Sequence, residues 1–143
     1  MKLAIIRVRG RRKIRPEVED TLKMLRLERP NHCVVVDDSP QNLGMITKVK
    51  DYVAYGPVDE QMIFRLLLKR GRKGRSSLRE VMKEADIKKA AAEISSGKKT
   101  KDFANPVFRL RPPSKGYKDI KRAYPEGDLG KRDDMVSLLS RMV

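Results

Sequence analysis

The chain opens on an alternating stretch. Over residues 2–9, Lys-Leu-Ala-Ile-Ile-Arg-Val-Arg, a period of two puts Ala4, Ile6 and Val8 on one face and Leu3, Ile5, Arg7 and Arg9 on the other. This predicts a strand with one face apolar throughout and the other turning basic toward its end, so that Arg7 and Arg9 point outward if helices cover the apolar face. Gly10 to Arg15 reads as a basic loop. From Pro16 the period changes: Val18, Leu22 and Leu25 recur at helical spacing, which predicts an amphipathic helix to about Leu27. Pro16 suits the first turn, where its missing N–H has no partner to lose, and Glu17, Glu19 and Asp20 sit at the positive end of the helix dipole. Pro30-Asn31 breaks the helix, and the unbroken apolar run that follows predicts a well-covered strand over His32–Val36.

The alternation of strand and helix continues. Asp37-Asp38-Ser39-Pro40 reads as a turn or capping segment; Leu43, Ile46 and Val49 space a short helix; Tyr52–Tyr55 is a third strand, stopped by Gly56-Pro57. Asp59 is placed to cap a helix marked by Ile63, Leu66, Leu67 and Arg70 and ending near Gly71. Gly71–Arg75 reads as a flexible basic linker. Ser77-Leu78-Arg79-Glu80 has capping-box spacing and opens a helical stretch that Asp86 restarts and that runs to Gly97. Val107–Leu110 is a candidate strand ended by Pro112-Pro113. Ser114–Arg132 has little apolar periodicity and is expected to be extended, ordered mainly by a partner. Met135, Leu138, Leu139 and Met142 space a last amphipathic helix that should pack back on the core. No internal repeat is visible.

Charge changes what this pattern means. The 143 residues carry a net charge of +15, and the basic residues are clustered. Arg7, Arg9, Arg11, Arg12, Lys13 and Arg15 form one run without an acid. Arg65, Lys69, Arg70, Arg72, Lys73, Arg75 and Arg79 form a second, and Arg109, Arg111, Lys115 and Lys118 a third, followed by Lys121, Arg122, Lys131 and Arg132. One basic run is commonly a solvated face; three in so short a chain repel one another unless a polyanion neutralises them. Nucleic acid is the expected polyanion. A membrane surface usually calls for a basic amphipathic helix or a lipid anchor, and neither lipidation signal, cleavable leader nor long apolar run is seen.

Candidate chemistry is sparse. Cys33 is the single cysteine, which excludes an intrachain disulfide and suits a reducing compartment; with His32 beside it on a strand, the two point to opposite faces and make a poor metal pair. Asp37-Asp38 is the one close carboxylate pair outside helix starts, and a metal-dependent phosphoryl-transfer site built on it needs further oxygen ligands. Gly71-Arg72-Lys73-Gly74 and Gly127–Arg132 lack phosphate-loop spacing. Aromatic residues make up 5% of the chain and Trp is absent, which disfavours reading of single strands by stacking. What remains is recognition of phosphate and RNA shape by Arg and Lys.

Thr21-Leu22, Leu25, Leu27, Arg29, His32 and Val34, followed by Met45-Ile46, Val49 and Tyr52-Val53, are spaced as a signature across helix, strand, helix and strand. This resembles the large-subunit ribosomal protein family numbered thirty in its longer archaeal form, whose eukaryotic counterpart is numbered seven. Phe108–Gly116 is similar to that family's apolar-basic segment ending in Pro-Pro-Arg-Gly-Gly, with Ser-Lys in place of the Arg. Glu126–Arg132 is similar to its Gly-Gly-x-Leu-Gly-Lys/Arg stretch, with Glu-Gly in place of Gly-Gly. The resemblance implies an α+β fold: a small three-stranded, largely antiparallel sheet with two helices on one face, ferredoxin-like. Residues 1–57 would form a compact βαβαβ core, and 58–143 a helical and extended basic C-terminal extension.

It also implies a non-enzymatic component of the large ribosomal subunit in the cytoplasm. Its partners would be ribosomal RNA near the 5S region and neighbouring ribosomal proteins, with no cofactor, metal, membrane or small-molecule substrate. The candidate RNA-binding residues are Arg7, Arg9, Arg11, Arg12, Lys13, Arg15, Lys48, Arg72, Lys73, Arg75, Arg109, Arg111, Lys115, Lys118, Lys121, Arg122, Lys131 and Arg132. Two rival readings are a free-standing nucleic-acid-binding regulator and a metal-dependent enzyme built on Asp37 and Asp38. The first needs a groove-reading helix, and the 77–96 stretch with its Ala90-Ala91-Ala92 does not look like one.

Overall fold

The computed structural model describes residues 2–143 apart from Arg11, Lys118, Pro125 and Asp134, and the backbone but not the side chain of Asp102. The first half is β1 (Lys2–Arg7), α1 (Pro16–Met24), β2 (His32–Asp37), α2 (Pro40–Val49) and β3 (Val53–Val58). The second is α3 (Glu60–Arg70), β4 (Arg72–Lys73), β5 (Ser76–Ser77), α4 (Leu78–Val81), α5 (Glu84–Ser95), a 3-10 turn at Thr100–Asp102, β6 (Val107–Arg109), β7 (Gly130–Lys131) and α6 (Met135–Met142). Among the described residues the main sheet runs β6-β2-β1-β3-β7. Its centre is the antiparallel triplet: β1 pairs Ile5 with Val34 of β2 and with Tyr55 of β3. The fold is therefore α+β, with a short edge strand added on each side of the expected three and a helical C-terminal extension.

Both faces of the sheet are covered. Leu3, Ile5, Val34 and Val53 pack with Leu22, Leu25 and Leu27 around α1 and with Ile46 and Val49 of α2. Ala4, Ile6, Val8, Cys33 and Ala54 pack on the other face with Ile63 and Leu66 of α3, Ile87 and Ala91 of α5, Phe108 of β6 and Leu138 of α6. The helices of the first half thus cover the Leu3–Ile5 face, and those of the second half cover the Ala4–Ile6–Val8 face. This corrects the outward placement of Arg7. It follows Leu3 and Ile5 onto a covered face, is 2% exposed, and donates from Nη1 to the Leu27 carbonyl at 2.8 Å and from Nε to the Arg9 carbonyl at 3.2 Å.

Local sequence explains the ends of the elements. α1 stops in a Schellman motif: Arg26 takes a left-handed φ of 64°, and the Leu27 amide donates back to the Leu22 carbonyl at 2.8 Å. Ser39 and Asp59 cap α2 and α3, their side chains accepting from the amides of Asn42 (3.2 Å) and Met62 (2.9 Å). β3 does not stop at Gly56-Pro57 as expected but runs through it. The Tyr55 carbonyl accepts from the Arg132 amide on the side away from β1, so Pro57, two residues on, also faces away from β1. β7 pairs only with Ala54 and Tyr55, so the missing N–H of Pro57 breaks no ladder bond. Gly56 is needed for packing: a Cβ there would stand 2.4 Å from the Arg132 carbonyl oxygen.

Three further expectations change. Gly71–Arg75 is not a free linker: β4 and β5 form a hairpin whose turn uses Gly74 at φ +67°. Ser77 is already in that ladder, opposite Arg72, and makes no capping bond with its side chain; α4 is a single turn before the chain breaks at Met82-Lys83. The stretch after Ser114 is not simply extended. The Gly127 amide donates to the Ala123 carbonyl (2.8 Å), the Tyr124 amide to the Leu129 carbonyl (2.9 Å) and the Asp128 amide to the Asp119 carbonyl (3.0 Å), with Asp128 and Leu129 buried. With few apolar residues to offer, this loop closes on its own backbone instead. The last helix forms as expected, with Met135, Leu138, Leu139 and Met142 all buried.

Candidate nucleic-acid interface

Two of the basic runs, separate in sequence, meet around the β6 edge. Arg70 ends α3, Arg72 begins the hairpin, and Arg109 lies on β6 opposite His32. Asn105 binds hairpin to edge: its amide donates to the Arg72 carbonyl at 2.7 Å, its side-chain amide to the Gly74 carbonyl at 3.3 Å, and its Oδ1 accepts from the Gly74 amide at 3.4 Å. The three arginines and Asn105 line an open cleft of about 250 Å³ with Gly74, Pro106 and Val107; no acid is among its described lining residues. Such a cleft presents several fork-shaped cations to one bound group, the arrangement that suits phosphate oxygens.

His32 reports the field at this edge. Burial pushes its pKa down, and the charges of Arg109 and then Arg29 push it further in the same direction. Its Nδ1 is, among the described residues, the buried side-chain nitrogen left without a hydrogen-bond partner. Arg29 and Arg70 are not among the residues that sequence alone assigns to RNA. Arg70 lies within an acid-free run, which was a signal in charge, and Arg29 sits just before the Pro30 break within the signature that carries the family resemblance.

The other candidates divide by exposure. Arg12, Lys13 and Arg15 stand exposed on the loop after β1, with Lys13 at φ +55°. Arg9 is half-buried and stacks its guanidinium over Tyr52, 5.1 Å from the ring centre. Lys48 is exposed on α2, and Lys73 and Arg75 on the hairpin. Arg111 and Lys115 are exposed on a loop held to the end of α6 by the Ser114 amide, which donates to the Arg141 carbonyl at 3.0 Å. Lys121, Arg122 and Lys131 are exposed, Arg122 pairing with Asp119 at 3.5 Å. Arg132 is the second correction beside Arg7: it is 4% exposed, paired with Asp128, and stacked over Tyr124. Arg11 and Lys118 lie outside the described residues.

Asp37 and Asp38 do not build a centre. Asp37 pairs with Lys2, and its carbonyl accepts from the Asn42 side chain at 3.0 Å. Among the described residues no three His, Cys, Asp or Glu gather closely enough to hold a metal ion, and no helix is long and apolar enough to cross a membrane. Cys33 is wholly buried, and burial pushes its thiol pKa up to about 12, as befits an inert core residue.

Residues 3–53, from β1 to the start of β3, match the family described as ribosomal protein L30p/L7e. The large ribosomal subunit protein uL30 of Methanoculleus marisnigri is 48% identical over 87% of this chain and 87% of its own length. The chain belongs to the L30p/L7e family. The uL30 of Methanococcus maripaludis is 44% identical over the whole of both chains, and that of Methanothrix thermoacetophila 43% over 97% of this chain and 98% of its own. The likeness to L30p/L7e proteins thus covers the arginine cleft and α6 as well as the first three strands.

Proposed function

We propose that the protein is a structural component of the large ribosomal subunit, working in the cytoplasmic ribosome, and that it is not an enzyme. It binds and stabilises folded ribosomal RNA through its basic surface. The observation that carries this reading is the cleft of Arg70, Arg72 and Arg109, built from two stretches distant in sequence, residues 70–74 and 105–109, and without an acid among its described lining residues. A fold that places uncompensated cations together loses stability in isolation and regains it when phosphate neutralises them.

The surface cations divide into three contact regions: half-buried Arg9 with exposed Arg12, Lys13 and Arg15 after β1; Arg72, Lys73, Arg75 and Arg109 around the hairpin; and Arg111, Lys115, Lys121, Arg122 and Lys131 in the tail. Lys48 adds one on α2. The resemblance directs these to RNA near the 5S region and to neighbouring ribosomal proteins. Co-sedimentation across a salt gradient tests the reading: the protein should travel with large subunits at moderate salt and leave them at high salt. A protein that stays at the top of the gradient at every salt concentration is a free-standing regulator instead.

A further inference from the structure

The pairing of β2 with β6 ends for a chemical reason. The Asn31 amide donates to the Arg7 carbonyl at 2.7 Å, so Arg7, Ile5 and Leu3 bond toward β2, and their partners Val34 and Val36 bond back toward β1. Cys33, Val35 and Asp37 therefore turn their N–H and C=O groups the other way, toward β6. Cys33 meets Phe108 there, and the register stops at Val34 opposite Val107. The next outward residue, Val35, would face Pro106, which has no N–H to give. Among the described residues no strand pairs with the outward edge at Val35 and Asp37, although the Asp37 carbonyl already accepts from the Asn42 side chain at 3.0 Å.

This edge is the floor of a groove of about 310 Å³. Met24 and Met45 stand on the α1–α2 side, Thr100 and Pro106 on the other, and Met24 is 72% exposed. An open strand edge beside exposed apolar surface is a template for pairing that folded proteins normally cover. The rim carries a sign. Among the described lining residues the one acid, Asp37, is paired with Lys2, which leaves Arg26, Lys99 and Lys101 as cations.

We propose that the groove is a docking site for an extended segment of another protein of the large subunit. The segment adds as a strand along Val35–Asp37, sets apolar side chains against Met24 and Met45, and presents acidic ones to Arg26, Lys99 and Lys101. Main-chain bonding to a free edge supplies affinity, and the alternate side chains supply specificity. RNA would engage the rim cations but leave the methionine wall and the strand edge without complement. The identity of the partner's assembly rests on the ribosomal reading above.

The test places a photo-cross-linking residue at the exposed position, Met24→p-benzoylphenylalanine, and assembles large subunits with that protein. The expected product is a cross-link to one extended, acid-bearing segment of a neighbouring protein, mapped by mass spectrometry. Its yield per incorporated copy should fall several-fold in Lys99→Glu/Lys101→Glu and not in Lys88→Glu, an exposed control on α5. Hydrogen exchange on the unmodified protein gives a second readout: the outward amides of Val35 and Asp37 should slow at least tenfold between the free protein and the subunit. A cross-link to RNA, no cross-link from incorporated protein, or unchanged exchange at Val35 and Asp37 overturns the proposal. Wild-type protein that does not enter subunits overturns the ribosomal reading, and this proposal with it.

Discussion

Arg132 and Asp128 form an ion pair buried almost completely at the base of the tail, four residues apart. Beside them, the Arg132 amide donates to the Tyr55 carbonyl at 2.8 Å and its guanidinium stacks over Tyr124, 5.1 Å from the ring centre. A residue that charge alone assigns to RNA instead fastens the tail to β3. Removing one partner of a buried pair of this kind costs about 3–5 kcal/mol. Arg132→Ala is therefore expected to lower the urea midpoint by the equivalent of that loss. Unchanged stability with weakened RNA binding would return Arg132 to the interface.

Arg7 and Arg9 make the same distinction within one strand. Arg7→Glu puts an anion where a guanidinium donates to the carbonyls of Leu27, Arg9 and Gly10, and is expected to unfold the protein or destabilise it by several kcal/mol. Arg9→Glu, at the half-buried surface over Tyr52, gives up a cation–π interaction of about 0.5–1 kcal/mol and should keep the fold while weakening RNA binding several-fold. Thermal melts of both variants, read beside filter binding to large-subunit RNA, check the pair.

The reason alternation misplaced Arg7 is instructive. A period of two assigns residues to faces without saying what covers each face. The apolar character of Leu3 and Ile5 already argued for burial, and Arg7 shares their face. Caps were legible because Ser39 and Asp59 act within three residues of themselves. The hairpin was not, because Gly71–Arg75 carries no apolar residue, and its order comes from Asn105, more than thirty residues away. The arginine cleft was legible as two charged runs and illegible as one place, since only β6 pairing with β2 brings Arg109 to the hairpin. Arg132 was hidden by its neighbours: a buried Asp partner four residues earlier looks, in sequence, like any other acid in a basic tail.

His32 makes stability depend on pH. Its pKa in the fold lies below the ordinary 6.5, through burial first, then Arg109 and Arg29, with Glu28 opposing and Arg7 adding to the fall. The unfolded chain therefore takes up a proton first as pH drops. Stability is fully retained above about 6.5 and falls as pH is lowered from there toward the folded pKa. Urea unfolding between pH 8 and 5 should show this loss in the wild type and a flatter profile in His32→Gln. A wild-type profile that rises on acidification would reverse the sign and place a net acceptor near Nδ1.

The arginine cleft joins this titration to RNA binding. If about 6–10 phosphates are neutralised, the plot of log affinity against log salt should have a slope of about −5 to −9. Replacing Arg72 and Arg109 by Ala should shallow that slope by roughly one for each phosphate no longer neutralised, with stability changed by no more than about 0.5 kcal/mol because both side chains are exposed. Arg109 also holds the pKa of His32 down, so a phosphate seated on it would screen that charge and let the pKa rise. His32 is the single histidine of the chain, so its ring protons give one unambiguous NMR titration. The pKa should move up when large-subunit RNA is added, and up in Arg109→Ala without RNA. In that variant, further addition of RNA should move it less than in the wild type. A His32 titration that RNA leaves in place, under conditions where the protein is bound, would show that phosphate does not enter the cleft and that the three arginines serve another role.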